Sequence, residues 1–450
     1  MHDRFGPNSW KNLIIGTDTT VPLRNGRLVP AINFDNAATT PPFSTVVQDV
    51  INFSPWYSSV HRGTGFKSQF SSHFYENARK IIADFVKADY ERDTVIFVKN
   101  TTEAINKVAH SLSTPENKQV VLSTCMEHHS NDLPWRRSYE VDYIEIDSKG
   151  RLVLEDLAHK LEKHKGSVKL VVVTGASNVT GHRNPIHKIA ALAHHYHAKV
   201  LVDGAQLVPR YPVDMKPHPS LEHIDYLVFS GHKMYSPFGV GVLVAPKDSF
   251  INNPPDLVGG GTVDFVTHDL VQWADLPYRE EAGTPNLMGI VALVSAIKTL
   301  QKIDLKRIDA YEHNLMEYTL RGLQQIPDII LYGDSSNLHD RVAIIPFNIA
   351  GLSHEETAKI LSMEGGIAVR NGCFCAQPYI QKLLGVSQED INEGLKNPDL
   401  PRPGMVRVSF GLYNQFQEVD QLIALLRHVV KHKHYYKTLY KTVPDFYPHS

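Results

Sequence analysis

The residue in this sequence most able to do covalent chemistry is a lysine at the end of an apolar strand. In LVFSGHKMYSPFGVGVLV, Lys233 follows a run that ends at Ser230, with Gly231 allowing a tight turn and His232 alongside. An unpaired ammonium is costly in an apolar setting. Burial lowers its pKa and makes the amine a nucleophile towards an aldehyde. A stem lying along the strand end with its ammonium in water would use the same residues. The segment VLVDGAQLVP narrows the choice, because its apolar positions run into Asp203 and then Gly204. That puts a carboxylate at the C-terminal mouth of a buried strand, where ligands of open α/β sheets collect. Taken singly, such an Asp also caps a following helix. The two strand ends together suit pyridoxal 5'-phosphate: an amine for its aldehyde, and a carboxylate that keeps its ring nitrogen protonated and the ring electron-withdrawing.

Two further segments supply groups such a cofactor needs. KNTTEAINKVAH puts Asn100, Thr101 and Thr102 between a strand and a helix. Free N–H groups and two hydroxyls there form an anion site, and the same residues serve as a helix cap with Glu103 in the first turn. STCMEHHSND follows another strand, and an imidazole from it would stack on a ring and carry protons. Adjacent histidines do not share a helix face, and no C-x-x-C pair is present, so no metal site is expected.

These groups need a scaffold of alternating strands and helices. Strands are expected at Thr94–Lys99, Gln119–Ser123, Lys169–Thr174, Lys199–Asp203, Asp225–Ser230 and Val240–Ala245, with helices at Ser71–Lys87, Thr102–Leu112 and Pro185–His197. The alternation predicts an α/β layer with a mostly parallel mixed sheet. The later chain predicts a long helix over Ile303–Gln325, strands at Arg341–Asn348, Gly366–Val369 and Val406–Phe410, and helices at His354–Met363 and Glu418–His434. The expected organisation is an N-terminal extension (1–33), a large domain (34–288), a smaller α+β domain (289–435) and a tail (436–450).

The bulk composition excludes several classes. With 450 residues and a net charge of -2, the chain carries no basic footprint for nucleic acid. No apolar run suits a signal peptide or a membrane span. Three cysteines, Cys125, Cys373 and Cys375, make no disulfide scaffold. A cytoplasmic location is the expectation.

Read in order, FDNAATT (34–40), VHRGTG (60–65), NTTEAIN (100–106), MEHHSND (126–132), SNVTG (177–181), VDGAQ (202–206), FSGHK (229–233), GGGT (259–262), EAGTPN (281–286), VRNGCFCAQP (369–378) and VRVSFGLYN (406–414) form a collinear set. Through them the chain resembles the cysteine desulfurase and selenocysteine lyase family, in the class V aminotransferase group of fold-type-I pyridoxal phosphate enzymes. The resemblance implies that Lys233 holds the cofactor as a Schiff base, that Asp203 partners its ring nitrogen, that Gln206 binds its ring oxygen and that His128 stacks on the ring. It implies that Thr101, Thr102, Ser230 and His232 hold the phosphate, and that Thr284 reaches the phosphate of the neighbouring subunit in a homodimer. Asn178 and Arg407 would bind the substrate carboxylate, with His61 and Arg370 lining the pocket. Cys375 would be the nucleophile that takes sulfur from cysteine as a persulfide, leaves alanine, and passes the sulfur to an acceptor protein.

The loop departs from the usual pattern by offering Cys-Phe-Cys, so Cys373 is a second thiol whose part, as relay, redox partner or buried group, stays open. A different lyase, epimerase or aminotransferase on the same scaffold is an alternative, as is a non-catalytic binding protein.

Overall fold

The computed structural model describes residues 7–114, 119–397 and 400–440. Of the expected terminal segments, residues 1–6 and 441–450 lie outside the described residues.

Seven strands form the central sheet: β1 (Asp93–Val98), β2 (Val120–Thr124), β3 (Glu140–Ile144), β4 (Val168–Thr174), β5 (Lys199–Asp203), β6 (Tyr226–Ser230) and β7 (Gly241–Pro246), in the order β1-β7-β6-β5-β4-β2-β3. All pair in parallel except β7, which runs antiparallel to both β1 and β6. Strands β1, β2, β6 and β7 are buried along their whole length. Near-continuous apolar runs are therefore what the sequence shows there. β3 has no such run. It is one of the two edge strands and, unlike β1, has only Ile144 buried, so its residues EVDYI form a short polar–apolar alternation instead of an apolar run.

The later chain builds a second sheet from β8 (Ile329–Leu331), β9 (Ile344–Ile349), β10 (Arg370–Gly372) and β11 (Met405–Ser409), ordered β8-β9-β11-β10 and antiparallel throughout. The expected long helix over 303–325 is found as Leu305–Gln324, and a second helix that was not expected, Leu287–Ile303, precedes it. Asp304 separates them with a φ of 78°, and its carboxylate accepts the Lys306 N–H at 2.9 Å as the cap of the second. The first helix is buried on nearly every side and so lacks an amphipathic period. It packs on helices Ser44–Phe53 and Phe66–Val86. We propose that it is the element shared by the large (34–288) and small (289–435) units. One continuous apolar core joins residues from both.

The N-terminal segment is structured. Thr20–Pro22 pairs with Leu28–Pro30, and Ile32–Asn33 pairs in parallel with Ile367–Ala368. This brings FDNAATT across the gap between the two sheets. No helix among the described residues is long and apolar enough to cross a membrane.

Close approach of β7 to the start of helix Thr101–Ser111 needs a glycine. A Cβ on Gly241 would lie 2.6 Å from the Asn100 Cα and 2.9 Å from its N. Backbone cannot yield as a flexible side chain does. Gly241→Ala is expected to displace the Asn100–Thr102 turn and lower the melting temperature. Differential scanning calorimetry on the purified protein checks it.

Candidate active site

A cavity of about 260 Å³ opens where β2, β4, β5 and β6 end and the second sheet comes closest. Its walls bring together Thr101, Thr102, His128, Asn178, Asp203, Gln206, Ser230, His232, Lys233, Arg370, Cys375 and Arg407. Among the residues singled out by sequence, His61 and Thr284 stand apart. His61 is half-buried against the rings of Tyr75 and Tyr278, and Thr284 is exposed.

Lys233 and Asp203 set the electrostatics. Asp203 is buried, and its Oδ1 accepts the Ala205 N–H at 2.9 Å. Burial pushes its carboxyl up from the ordinary range, against that hydrogen bond and the nearby Lys233. Lys233 makes no hydrogen bond or ion pair with a described residue. Burial pulls its amine down to about 8, opposed by Asp203 and helped by Arg407 and Arg210. The turn beneath it is held by FDNAATT: Thr40 N–H and the hydroxyls of Thr39 and Thr40 all donate to the His232 carbonyl.

The anion corner sits at the helix start. Thr101 Oγ1 lies 2.6 Å from Ser230 Oγ, which also accepts the Thr101 N–H at 2.9 Å. Thr102 Oγ1 lies 2.7 Å from Ser130 Oγ. The capping role is filled as well, since Asn100 Oδ1 accepts the Glu103 N–H and Glu103 Oε2 accepts the Lys99 N–H. The cap leaves the hydroxyls of Thr101 and Thr102 lining the cavity.

His128 Nδ1 accepts the Ser130 N–H at 3.0 Å, so the neutral ring carries its proton on Nε2. Burial, with Lys233 adding to it, lowers its pKa to about 3. Burial likewise takes His232 to about 4. Gln206 donates from Nε2 to the Ala37 carbonyl at 2.7 Å, and its Oε1 accepts from Arg210 at the same distance, which leaves one amide hydrogen for the cavity.

The far wall belongs to the second sheet. Arg370 and Arg407 are direct cross-strand partners, and Asp35 lies beside both, 3.0 Å from Arg407 Nη2 and 3.9 Å from Arg370 Nη1. Arg407 also donates to the Asn178 carbonyl at 2.9 Å, and its guanidinium sits 4.8 Å from the Phe374 ring centre. Its Nε is buried without a partner. Asn178 in turn donates to the Phe374 carbonyl at 2.7 Å. Phe374 and Cys375 both have left-handed backbone, with φ of 50° and 55°, a conformation uncommon for residues with side chains. Cys375 is exposed, Cys373 half-buried, and neither forms a disulfide.

Sequence alone does not single out Asp35, Glu127 or Arg210. Glu127 is fully enclosed, accepting from the Thr124 hydroxyl, the Thr174 N–H and the Asn131 amide at 2.6 to 2.8 Å, while burial pushes its carboxyl up to about 8. It ties β4 to the turn that carries His128. The only signal for it is its place inside MEHHSND.

Comparison with known proteins agrees with this geometry. The family model for aminotransferase class-V matches residues 32–422. The chain belongs to that family. It is 35% identical over 418 residues to a cysteine desulfurase of Haloferax volcanii, covering 91% of this chain and 92% of that one. It is 36% identical over 413 residues to a cysteine desulfurase of Salmonella newport, covering 89% and 94%. Among solved structures, the apo cysteine desulfurase of Thermococcus onnurineus NA1 superposes with a TM-score of 0.79 at 34% identity, covering 89% of this chain and 95% of that one. The cysteine desulfurase CsdA of Escherichia coli, as the S-sulfonic acid, gives 0.78 at 26% identity, covering 95% and 99%.

Members of this family use pyridoxal 5'-phosphate, and the residues present fit it. An amine without a protein partner, a buried carboxylate with one oxygen engaged, and a hydroxyl cluster at a helix start share one cavity.

The lowered Lys233 pKa has a direct consequence. Free lysine is neutral only above pH ~10.4, whereas this amine loses its proton as pH rises through about 8. The rate at which apoprotein takes up pyridoxal phosphate is expected to rise with pH to half its maximum near 8. In Asp203→Asn, which removes a charge that raises the lysine pKa, that midpoint moves to lower pH. Stopped-flow absorbance across a pH series measures it.

Proposed function

We propose that this chain is a pyridoxal phosphate-dependent cysteine desulfurase that converts L-cysteine to L-alanine and carries the sulfur on Cys375. The observation that carries the reading is that Cys375, Lys233 and Arg407 line one cavity. That set supplies a sulfur acceptor, a proton carrier and a carboxylate anchor.

Lys233 would bind the cofactor aldehyde, Asp203 its ring nitrogen and Gln206 its ring oxygen. His128 would cover the ring, and Thr101, Thr102, Ser230 and His232 would hold the phosphate. Thr284 of a second subunit would complete that site in a homodimer, and its exposure here supports such a role. When bound, the cofactor supplies an aldehyde for the substrate amine and an electron-withdrawing ring.

The chain's own residues do the rest. Arg407 would hold the substrate carboxylate by charge-assisted hydrogen bonds, its buried and unpartnered Nε–H being one donor. Arg370 would add charge at the rim, His61 would bear on the pocket from outside it, and Asn178 would position the loop through the Phe374 carbonyl. Lys233, with a pKa near 8, takes up and returns a proton around neutral pH. The Cys375 thiolate attacks the substrate sulfur. An S–S bond forms as the C–S bond breaks, the carbon keeps the electron pair and is protonated, and alanine leaves with the persulfide on the enzyme. An exposed Cys375 suits hand-over of that sulfur to an acceptor protein.

Two measurements test the proposal. Cys375→Ala is expected to lower alanine formation from L-cysteine by ~10²-fold or more, as removal of a nucleophile does, with cofactor absorbance unchanged. Cys373→Ala is expected to keep most of the activity; equal loss in both would assign the chemistry elsewhere. Arg407→Lys is expected to raise KM for cysteine by ~10-fold or more, the worth of a hydrogen bond to a charged group. Steady-state alanine assays read both.

A further inference from the structure

β1 begins with Asp93 at the edge of the sheet opposite the cavity, since its other end leads to Asn100 and Thr101. The connection from β5 to β6 returns to the same edge and carries His218 and His223. A carboxylate oxygen of Asp93 and one ring nitrogen from each histidine all lie within 4.8 Å of one another. We propose that Asp93, His218 and His223 form a binding site for one divalent first-row cation, Zn²⁺ in the first instance.

The states of His223 and Asp93 support this, while His218 Nε2, which donates to Asp93 Oδ1, would give up that proton on binding. His223 is 2% exposed, and its Nδ1 approaches two backbone carbonyls, Lys216 at 2.7 Å and Met215 at 3.1 Å. Carbonyls only accept, so Nδ1 carries the proton and Nε2 keeps its lone pair. That Nε2 is buried with no hydrogen-bond partner. A histidine oriented by a backbone carbonyl through one nitrogen, with the other free, is how protein-bound zinc holds its ligands. Asp93 is oriented too, because its Oδ2 accepts the Asp89 N–H at 3.0 Å. Its Oδ1 lies 2.8 Å from His218 Nε2.

Two imidazoles and one carboxylate suit Zn²⁺ with water in the fourth position, and half-buried His218 gives solvent a way in. Tetrahedral ligands at ~2.0–2.1 Å sit about 3.3 Å apart, so binding widens the Asp93–His218 contact by about half an ångström. The ion would clamp the 213–225 connection to the start of β1. A Met215 N–H bond to the Val86 carbonyl already fastens that connection at 2.9 Å.

The test uses holoenzyme stripped with a chelator and titrated with Zn²⁺ or Co²⁺. Wild type is expected to bind one equivalent, to melt at higher temperature with Zn²⁺, and to show Co²⁺ ligand-field bands without a thiolate charge-transfer band. His218→Ala, at a half-exposed position, is expected to fold with full cofactor absorbance and lose at least ~10-fold in Co²⁺ affinity. Asp93→Asn should lose comparably. Wild type that takes up no stoichiometric metal, affinity unchanged in both variants, or a thiolate band accounting for all the bound Co²⁺ would each overturn the assignment.

Discussion

An amine and a carboxylate held in one buried cavity without touching are the constraint on which the site depends. Withdrawing either charge from water costs several kcal/mol, and direct pairing is the simplest relief. The fold sets Asp203 at the end of β5 and Lys233 on the turn after the adjacent parallel strand β6, where the two form no ion pair. Asp203 is fixed by the Ala205 N–H, and the Lys233 turn by Thr39 and Thr40. Each group therefore stays available to a third party. The same burial that is unfavourable for stability brings the amine to about 8, where it transfers protons readily.

The N-terminal motif acts as a buckle around that arrangement. Within FDNAATT, Asp35 reaches Arg407, Asn36 bonds to the Ser409 carbonyl and Asn414, Ala37 receives Gln206, and Thr39 and Thr40 hold the lysine turn. One short segment thus touches Arg407, Gln206 and the lysine loop, all of which line the cavity. Small polar side chains serve because they make directed bonds in a space where the chain crosses between two sheets.

What the sequence reveals follows the same physics. The buried inner strands are legible because burial on both faces demands unbroken apolar runs, and Asp203 and Lys233 stand out as charges that end such runs. β3 escapes notice as an outer strand with one buried residue, and the helix Leu287–Ile303 because burial all round erases its period. Asp35 acts through Arg407, 372 residues away, a relation that spacing along the chain does not encode. The Asp93–His218–His223 group is hidden for the same reason, its aspartate lying 125 residues from His218. The cysteine loop is legible as a motif but not as a conformation, because nothing in Cys-Phe-Cys announces two successive left-handed residues.

Arg370 and Arg407 show how strand register makes a substrate site. Like charges directly opposite on neighbouring antiparallel strands destabilise a sheet. Asp35 relieves this only in part: it bonds to Arg407 at 3.0 Å but stays 3.9 Å from Arg370, and one carboxylate against two guanidiniums leaves a net positive wall. Under the proposed function an incoming substrate carboxylate would complete the neutralisation, so the unfavourable pairing would become a preference for a carboxylate group. The loop after Arg370 is bound into this wall, with Phe374 stacked at Arg407 and its carbonyl held by Asn178, whose own carbonyl accepts from Arg407. Under the proposed function, anchoring the carboxylate and presenting Cys375 would consequently be one structural event. A change in the arginine is felt one residue from the thiol, without any motion of the large sheet.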